Sequence, residues 1–297
     1  MEEGMSLTIA IPTCGRTING VLTRCLNSLA IQTYTNFRIL IIDDNLNDPS
    51  IEKHMSALED QLAGNLRRHD PFDIIKSYHI NRDGFPVHNI ALSNSDTKYI
   101  FRLDDDFYLE SQNFIATLLN IMDEHSEYGA VSGIQGGNYY YPDCLNNPNI
   151  PDYLKGHQQI KFYKTEHGYD GICDLGIQHN NHHEARLYAV EHIHSSYIYR
   201  REVLEKIGGF TEELFHGEET VPLIQMQLLG YKVGIYTGVK FTHGGCHEGG
   251  VRGQTRWKAN KDPEYRTRYQ KKLLELLENY RVDDGDTLGD ILCRDKR

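Results

Sequence analysis

Three consecutive carboxylates, Asp104-Asp105-Asp106, follow directly on the apolar run YIFRL at residues 99–103. Adjacent like charges repel, so a folded site that keeps them ionised needs a cation or full solvation. A hard divalent ion such as Mn2+ or Mg2+ prefers a few carboxylate oxygens together with phosphate oxygens and water. The triplet therefore reads as a place for a metal and a diphosphate, the ion neutralising charge on a leaving group. A solvated loop or a helix cap ahead of Phe107 is the plainer alternative. Its place after an apolar run argues for the site, because two further polar clusters end apolar runs in the same way. Pro12-Thr13 closes LTIAIPT, and Asp43-Asp44-Asn45 follows FRILII. Ligands of open parallel sheets bind outside the carboxyl ends of the strands, so the three clusters point toward one edge.

The elements that must position these groups alternate. Strands are expected at residues 7–13, 37–42, around Ile74-Ile75 and at 99–103. Between them, helical spacing runs through Val21, Leu22, Cys25, Leu26, Leu29 and Ala30, through Ile51, Met55, Leu58 and Leu62, and over residues 87–92. Another helix is expected over residues 114–122. This order predicts a mostly parallel sheet covered by helices, an α/β fold. Residues 136–184 are rich in Asn, Gly, Tyr, Pro and His and read as long loops or a small irregular excursion. After it, residues 187–199 read as one extended segment. A helix near Val203 follows, then a Gly208-Gly209 turn, a helix over 219–229, and short strands at 232–236 and 239–242. Residues 244–260 read as a Gly-rich mobile loop, and 264–280 as a helix with one apolar face. No linker is evident. The expected organisation is one catalytic domain over residues 1–260, with an insertion near 136–184 and a helical extension over 261–297 packing on it.

The formal charge of −11 over 297 residues argues against broad contact with nucleic acid. Six cysteines lack C-x-x-C pairs and a disulfide framework, and read as reduced thiols of a cytoplasmic protein. No window approaches the length of a membrane span, and the N-terminus lacks the pattern of a signal peptide. Peripheral membrane attachment is compatible with this.

LTIAIPTCGR, IIDDN, FRLDDDF and YRREVLEKIGGFTEELFHGEE, in this order, resemble the motifs of family-2 glycosyltransferases with the GT-A fold. The resemblance spans residues 6–243; it lies in the combination, since each motif alone is unspecific. It implies a metal-dependent transfer of a sugar, a hexosyl group first, from a nucleotide-diphosphate donor to a hydroxyl acceptor, with inversion. A UDP-sugar is the favoured donor. Pro12, Thr13, Arg16 and Asp44 would line the nucleotide, Asp44 accepting from a uracil N–H. Arg82 or Asp83 would lie near the donor, Asp104 near the ribose or sugar, and Asp105 beside the metal. Asp106, and His243 at the end of VKFTH, would hold Mn2+ or Mg2+.

Glu218-Glu219 stands where the family usually has Glu-Asp. Inverting transfer needs a base within reach of the acceptor hydroxyl, and the second acid, Glu219, takes that role. Glu218 would bind the acceptor or orient the neighbouring loop. Glu is one methylene longer than Asp, which sets the backbone back. Two acids at a helix N-terminus, favoured by its dipole, are the plainer alternative. Arg252, Arg256 and Trp257 in the Gly-rich stretch resemble a lid over the diphosphate.

The His-rich region of His179, His182, His183, Glu184, His192 and His194 matches no familiar zinc spacing. Tyr139-Tyr140-Tyr141 suits either packing or a sugar-stacking wall. The acceptor is open: a glycan, a lipid-linked sugar, a protein or a small molecule. A nucleotidyltransferase would carry a Gly-rich, basic loop after the first strand, and PTCGRTING is thin for one. G-x-G-x-x-G and GK[ST] are absent. An inactive sugar- or nucleotide-binding protein on the same fold is the rival of a different class.

Overall fold

The computed structural model describes residues 6–13, 20–43, 72–76, 87–135, 159–173, 184–193, 196–211, 219–243 and 263–294. Its main sheet is built from β1 (Leu7–Thr13), β2 (Phe37–Asp43), β3 (Phe72–Lys76), β4 (Tyr99–Arg102), β5 (Phe107–Leu109), β6 (Tyr128–Gln135), β9 (Leu187–Val190), β10 (Tyr197–Arg200) and β11 (Lys232–His243). A separate hairpin pairs β7 (Ile160–Thr165) with β8 (Gly168–Cys173). The helices are α1 (Val21–Ala30), α2 (Val87–Ser93), α3 (Phe114–Glu124), α4 (Arg201–Lys206), α5 (Thr220–Leu228), α6 (Pro263–Leu276) and α7 (Leu288–Leu292).

The sheet order is β3-β2-β1-β4-β10-β6-β11-β5, with β9 added to β11. β1 to β4 run parallel, and β6 and β11 run the same way, while β10, β5 and β9 run opposite. The fold is α/β with a mostly parallel central sheet. From β1 the chain builds outward to β2 and β3, then returns to place β4 on the other side of β1. The carboxyl ends of β1 and β4 therefore flank the switch point where a crevice forms.

Alternation along the strands explains the two main cores. Leu7, Ile9 and Ile11 of β1 and Tyr99 and Phe101 of β4 face one side, with Leu22, Leu26 and Leu29 of α1 and Phe114 and Leu118 of α3. Ala10, Leu40, Ile100, Tyr197 and Tyr199 face the other, against Val203, Leu223 and Met226. Both faces are covered, which is why these strands read as continuous apolar runs. A third cluster joins Ile160 and Phe162 of β7 to Val221 and Ile224 of α5 and to Leu273, Leu277, Leu288 and Ile291 of the C-terminal segment.

Several expectations need correction. Residues 187–199 form two strands, β9 and β10, on different neighbours, because the chain leaves β11 at Val190 and re-enters the sheet between β4 and β6. Arg200 secures that insertion by donating to the carbonyls of Tyr128 at 2.8 Å and His125 at 3.0 Å. The two short strands expected at 232–242 are one strand, β11, whose register against β6 slips between Ile235 and Lys240. β6 was not expected; YGAVSGIQ has glycines and a serine, yet all eight residues are buried. Inside the expected irregular stretch 136–184, the described residues 160–173 form a regular hairpin. The C-terminal helix stops at Leu276, four residues before the expected end. The helix expected through Ile51 and Leu62 lies outside the described residues. No helix among the described residues is long and apolar enough to cross a membrane.

Candidate active site

The β1–β4 ladder ends at Ala10 and Arg102, with Leu103 donating to the Ala10 carbonyl at 3.0 Å. Beyond it the two strands part. Pro12 lies on the same side of β1 as Ala10, where no ladder continues, so its missing N–H costs nothing there. Thr13 closes β1, and its hydroxyl donates to Asp105 Oδ2 at 2.8 Å. Thr13, Asp105 and Asp106 are all buried.

The acid triplet sits in a tight turn between β4 and β5, closed by Phe107 N–H donating to the Asp104 carbonyl at 3.1 Å. Asp104 N–H in turn donates to Ser196 Oγ at 3.2 Å, just before β10. Beneath the triplet lies the buried Cys25 of α1. Its thiol donates to the Asp104 carbonyl, and burial, followed by the charges of Asp105, Asp106 and Asp104, pushes its pKa well up. It stays a neutral thiol and adds no charge to an already acidic place.

β5 returns antiparallel to the end of β11, and this pairing sets His243 opposite Phe107. The imidazole stacks on the Phe107 ring at 4.5 Å between centroids, and its Nε2 stands 3.4 Å from Asp106 Oδ2. Two ligands of one octahedral ion with bonds near 2.1 Å lie about 3 Å apart. Asp106 and His243 fit as a two-residue share of a metal site. Among the described residues no group of three His, Cys, Asp or Glu side chains is arranged so that it could hold a metal ion. A hard cation is commonly shared between protein carboxylates, phosphate oxygens and water.

Glu219 stands at the cap of α5, but its side chain does not cap the helix. It turns instead to Arg102, whose Nη2 lies 2.7 Å from Glu219 Oε1 and 3.6 Å from Asp104 Oδ1. The guanidinium is buried, with its carbon 5.8 Å from the centre of the Tyr197 ring. Arg102 was not among the residues expected at the site. A charged residue inside the buried run YIFRL was the available signal, because a buried arginine is rare unless paired.

Behind Glu219, Thr220 Oγ1 lies 3.3 Å from His192 Nε2 and 3.7 Å from Cys173 Sγ. His192 of the His-rich region is thus a buried partner of α5. Gly208 and Gly209 adopt φ of 81° and 83° and close α4 by donating to the carbonyls of Glu205 and Leu204. Asn89 of α2 clasps the next residue, accepting from Phe210 N–H and donating to its carbonyl, both at 2.8 Å.

The structure thus brings Thr13, Asp104, Asp105, Asp106 and His243 to one end of the sheet, with Glu219 tied to Asp104 through Arg102. Arg16, Asp44, Arg82, Asp83, Glu218, Arg252, Arg256 and Trp257 lie outside the described residues. So do Tyr139-Tyr140-Tyr141 and His179, His182, His183 and His194.

A family model, glycosyl transferase family 2, matches residues 8–208. The chain belongs to glycosyl transferase family 2. Among solved structures, a mannosyltransferase of Pyrobaculum calidifontis with GDP-Man and Mn2+ aligns at a TM-score of 0.56 and 13% identity. That match covers 88% of this chain and 61% of the other. S. aureus TarS 1–349 with UDP-GlcNAc aligns at 0.50 and 17% identity, covering 80% and 57%. GalNAc-T7 with UDP, GalNAc and Mn2+ aligns at 0.57 and 14% identity, covering 80% and 43%. At these identities the likeness is one of fold, the GT-A fold of glycosyltransferases. The chain spans less than two thirds of the length of these three proteins. Among curated proteins no sequence match was found.

Proposed function

We propose that this glycosyltransferase moves a hexosyl group from a nucleotide-diphosphate sugar to a hydroxyl acceptor, with a divalent metal and with inversion. The observation that carries the reading is the pairing of Asp106 with His243 at 3.4 Å, beside the Thr13–Asp105 hydrogen bond at the β1/β4 switch point. Those residues offer a carboxylate and an imidazole to a hard cation, with a second buried carboxylate adjacent. Bound there, Mn2+ or Mg2+ would stabilise negative charge on the departing diphosphate. Two structures of like fold, the mannosyltransferase and GalNAc-T7, are complexes with Mn2+, which supports the same choice.

In this reading the acceptor hydroxyl oxygen forms a bond to the anomeric carbon while the bond to the diphosphate oxygen breaks. The electron pair leaves with the nucleotide, and Glu219 takes the hydroxyl proton. Asp104 lies near the ribose or sugar, and Asp105 is held in place by Thr13. Pro12 and Thr13, with Arg16 and Asp44, line the nucleotide. A carboxylate at Asp44 suits the N–H edge of uracil, which favours UDP-sugars. Arg82 or Asp83 sits near the donor, Glu218 on the acceptor side, and Arg252, Arg256 and Trp257 close over the diphosphate and exclude water. A reducing, cytoplasmic setting belongs to the same reading, since the six cysteines lack C-x-x-C pairs and a disulfide framework.

The test is a panel of UDP-Glc, UDP-GlcNAc, UDP-Gal, UDP-GalNAc and GDP-Man with Mn2+. Binding to the native state raises Tm by mass action. A UDP-sugar should raise Tm only with Mn2+ and release UDP on incubation, and EDTA should abolish both. Asp106→Ala should remove the shift. A full shift in that variant would overturn the ligand assignment, and binding without turnover for every donor would favour an inactive binding protein. The anomeric configuration of the product, read by NMR, decides inversion.

A further inference from the structure

Arg102 is one of the largest fully buried side chains of the described chain, and it lies on the last residue of β4. Alternation puts it on the face of Ile100, against β10 and α5, away from the face of Tyr99 and Phe101. Taking a guanidinium out of water is costly, and an apolar residue of similar size would pack there at lower cost. The arginine is compensated from two sides. Glu219 approaches from the start of α5 at 2.7 Å, and Asp104 approaches from the acid triplet at 3.6 Å. One cation therefore spans the two halves of the site, the donor end of β4 and the carboxylate assigned as base.

We propose that Arg102 is a positioning residue for transfer: it fixes the Glu219 carboxylate for proton abstraction and keeps Asp104 as its own counter-ion when that proton arrives. The inference rests on Glu219 being the base. Engaging Oε1 sets the plane of a side chain that is one methylene longer than the aspartate common in the family. The longer reach of glutamate adds a rotatable bond, and a charge-assisted hydrogen bond restricts it. When Glu219 accepts a proton it loses its charge. Asp104 then remains to balance the buried guanidinium, so no step leaves an uncompensated buried cation.

The experiment uses the donor found productive with Mn2+ in the panel above, with kcat and donor KM read from UDP release, and Tm measured with Mn2+ and UDP. Arg102→Met is expected to lower kcat about 100-fold or more, the range of a misplaced general base. Donor KM and the Tm shift should stay at the wild-type level. Arg102→Lys keeps a cation without the fork and should recover about tenfold of that loss. In a Glu219→Gln background, Arg102→Met should cost less than about threefold, because a residue acting through Glu219 is not additive with it. If Arg102→Met fails to fold, the same cycle is run with Arg102→Lys. Unchanged kcat, additive losses, or a fall in donor affinity that matches the fall in turnover would overturn the proposal. Glu219→Gln at wild-type rate would instead remove Glu219 as the base. Glu219→Gln inactive beside a fully active Arg102→Met would remove only the role of Arg102.

Discussion

The Thr13 hydroxyl donates to Asp105 Oδ2 at 2.8 Å, joining the end of β1 to the turn after β4. Both residues are buried, so the bond ties the two segments together from within. Thr13→Val keeps the shape and removes the donor, leaving Asp105 with one partner fewer. The expected loss is about 1–3 kcal/mol of unfolding free energy, with a weaker Tm response to Mn2+ and UDP. Thr13→Ser should restore most of both. Urea denaturation and thermal shift check this.

His243 has two roles that can be separated. Its ring stacks on Phe107, and its Nε2 faces Asp106. His243→Phe retains the stack and removes the nitrogen. It should fold with near wild-type stability, while the Mn2+ concentration needed for half-maximal turnover rises at least ~tenfold. His243→Ala should lose stability as well. Equal Mn2+ dependence in wild type and His243→Phe would remove the histidine from the metal site.

The two glycines that close α4 should differ in their response to a methyl group. Both have φ near +80°, where an L-residue costs about 1–2 kcal/mol. A Cβ on Gly208 meets nothing within 4 Å, whereas one on Gly209 falls 2.6 Å from Asn89 Oδ1. Gly208→Ala should therefore cost only the backbone strain. Gly209→Ala should cost about 1–3 kcal/mol more, since it pushes away the side chain that clasps Phe210. Urea midpoints of the two variants, with equal m-values, check the difference.

Two carboxylates near the C-terminal segment should give opposite pH dependence. Burial pushes the Glu191 carboxyl up, against the opposing hydrogen bonds from the N–H groups of Ile160, Gly289 and Leu288. The folded state then binds its proton more tightly than the unfolded chain. Its contribution is full below the ordinary Glu pKa and is lost as pH rises through the folded value. Asp286 is held low by its hydrogen bonds from Arg294, so its contribution is full above the ordinary Asp pKa and is lost as pH falls. Unfolding free energies between pH 3 and 7 should show the advantage of wild type over Glu191→Gln shrinking as pH rises. Its advantage over Asp286→Asn should grow.

Much of the frame was legible along the chain. Leu7–Thr13 and Tyr99–Arg102 announce themselves because strands buried on both faces need unbroken apolar runs. Val21–Ala30 shows its helix because only one stripe of it meets the sheet. Tyr128–Gln135 did not show. Gly129, Gly133 and Ser132 carry no strand signal, yet Gly133 is required, since a Cβ there would fall 2.6 Å from the Phe114 ring. That requirement comes from a helix packed across it, and no local pattern encodes it.

The sequence by itself determined the class of fold, the order of the polar clusters and which acids stand at strand ends, because these follow from local hydrophobic pattern and motif order. Only the tertiary structure decided that β10 enters the sheet antiparallel between β4 and β6, and that β5 pairs with the end of β11. Those pairings bring His243 to Asp106 and set Ser196 against Asp104. Packing of α5 on the sheet likewise turns Arg102 from an unexplained charge in an apolar strand into the partner of Glu219. Each contact joins residues far apart in sequence, and its energy exists only once the sheet has closed between them.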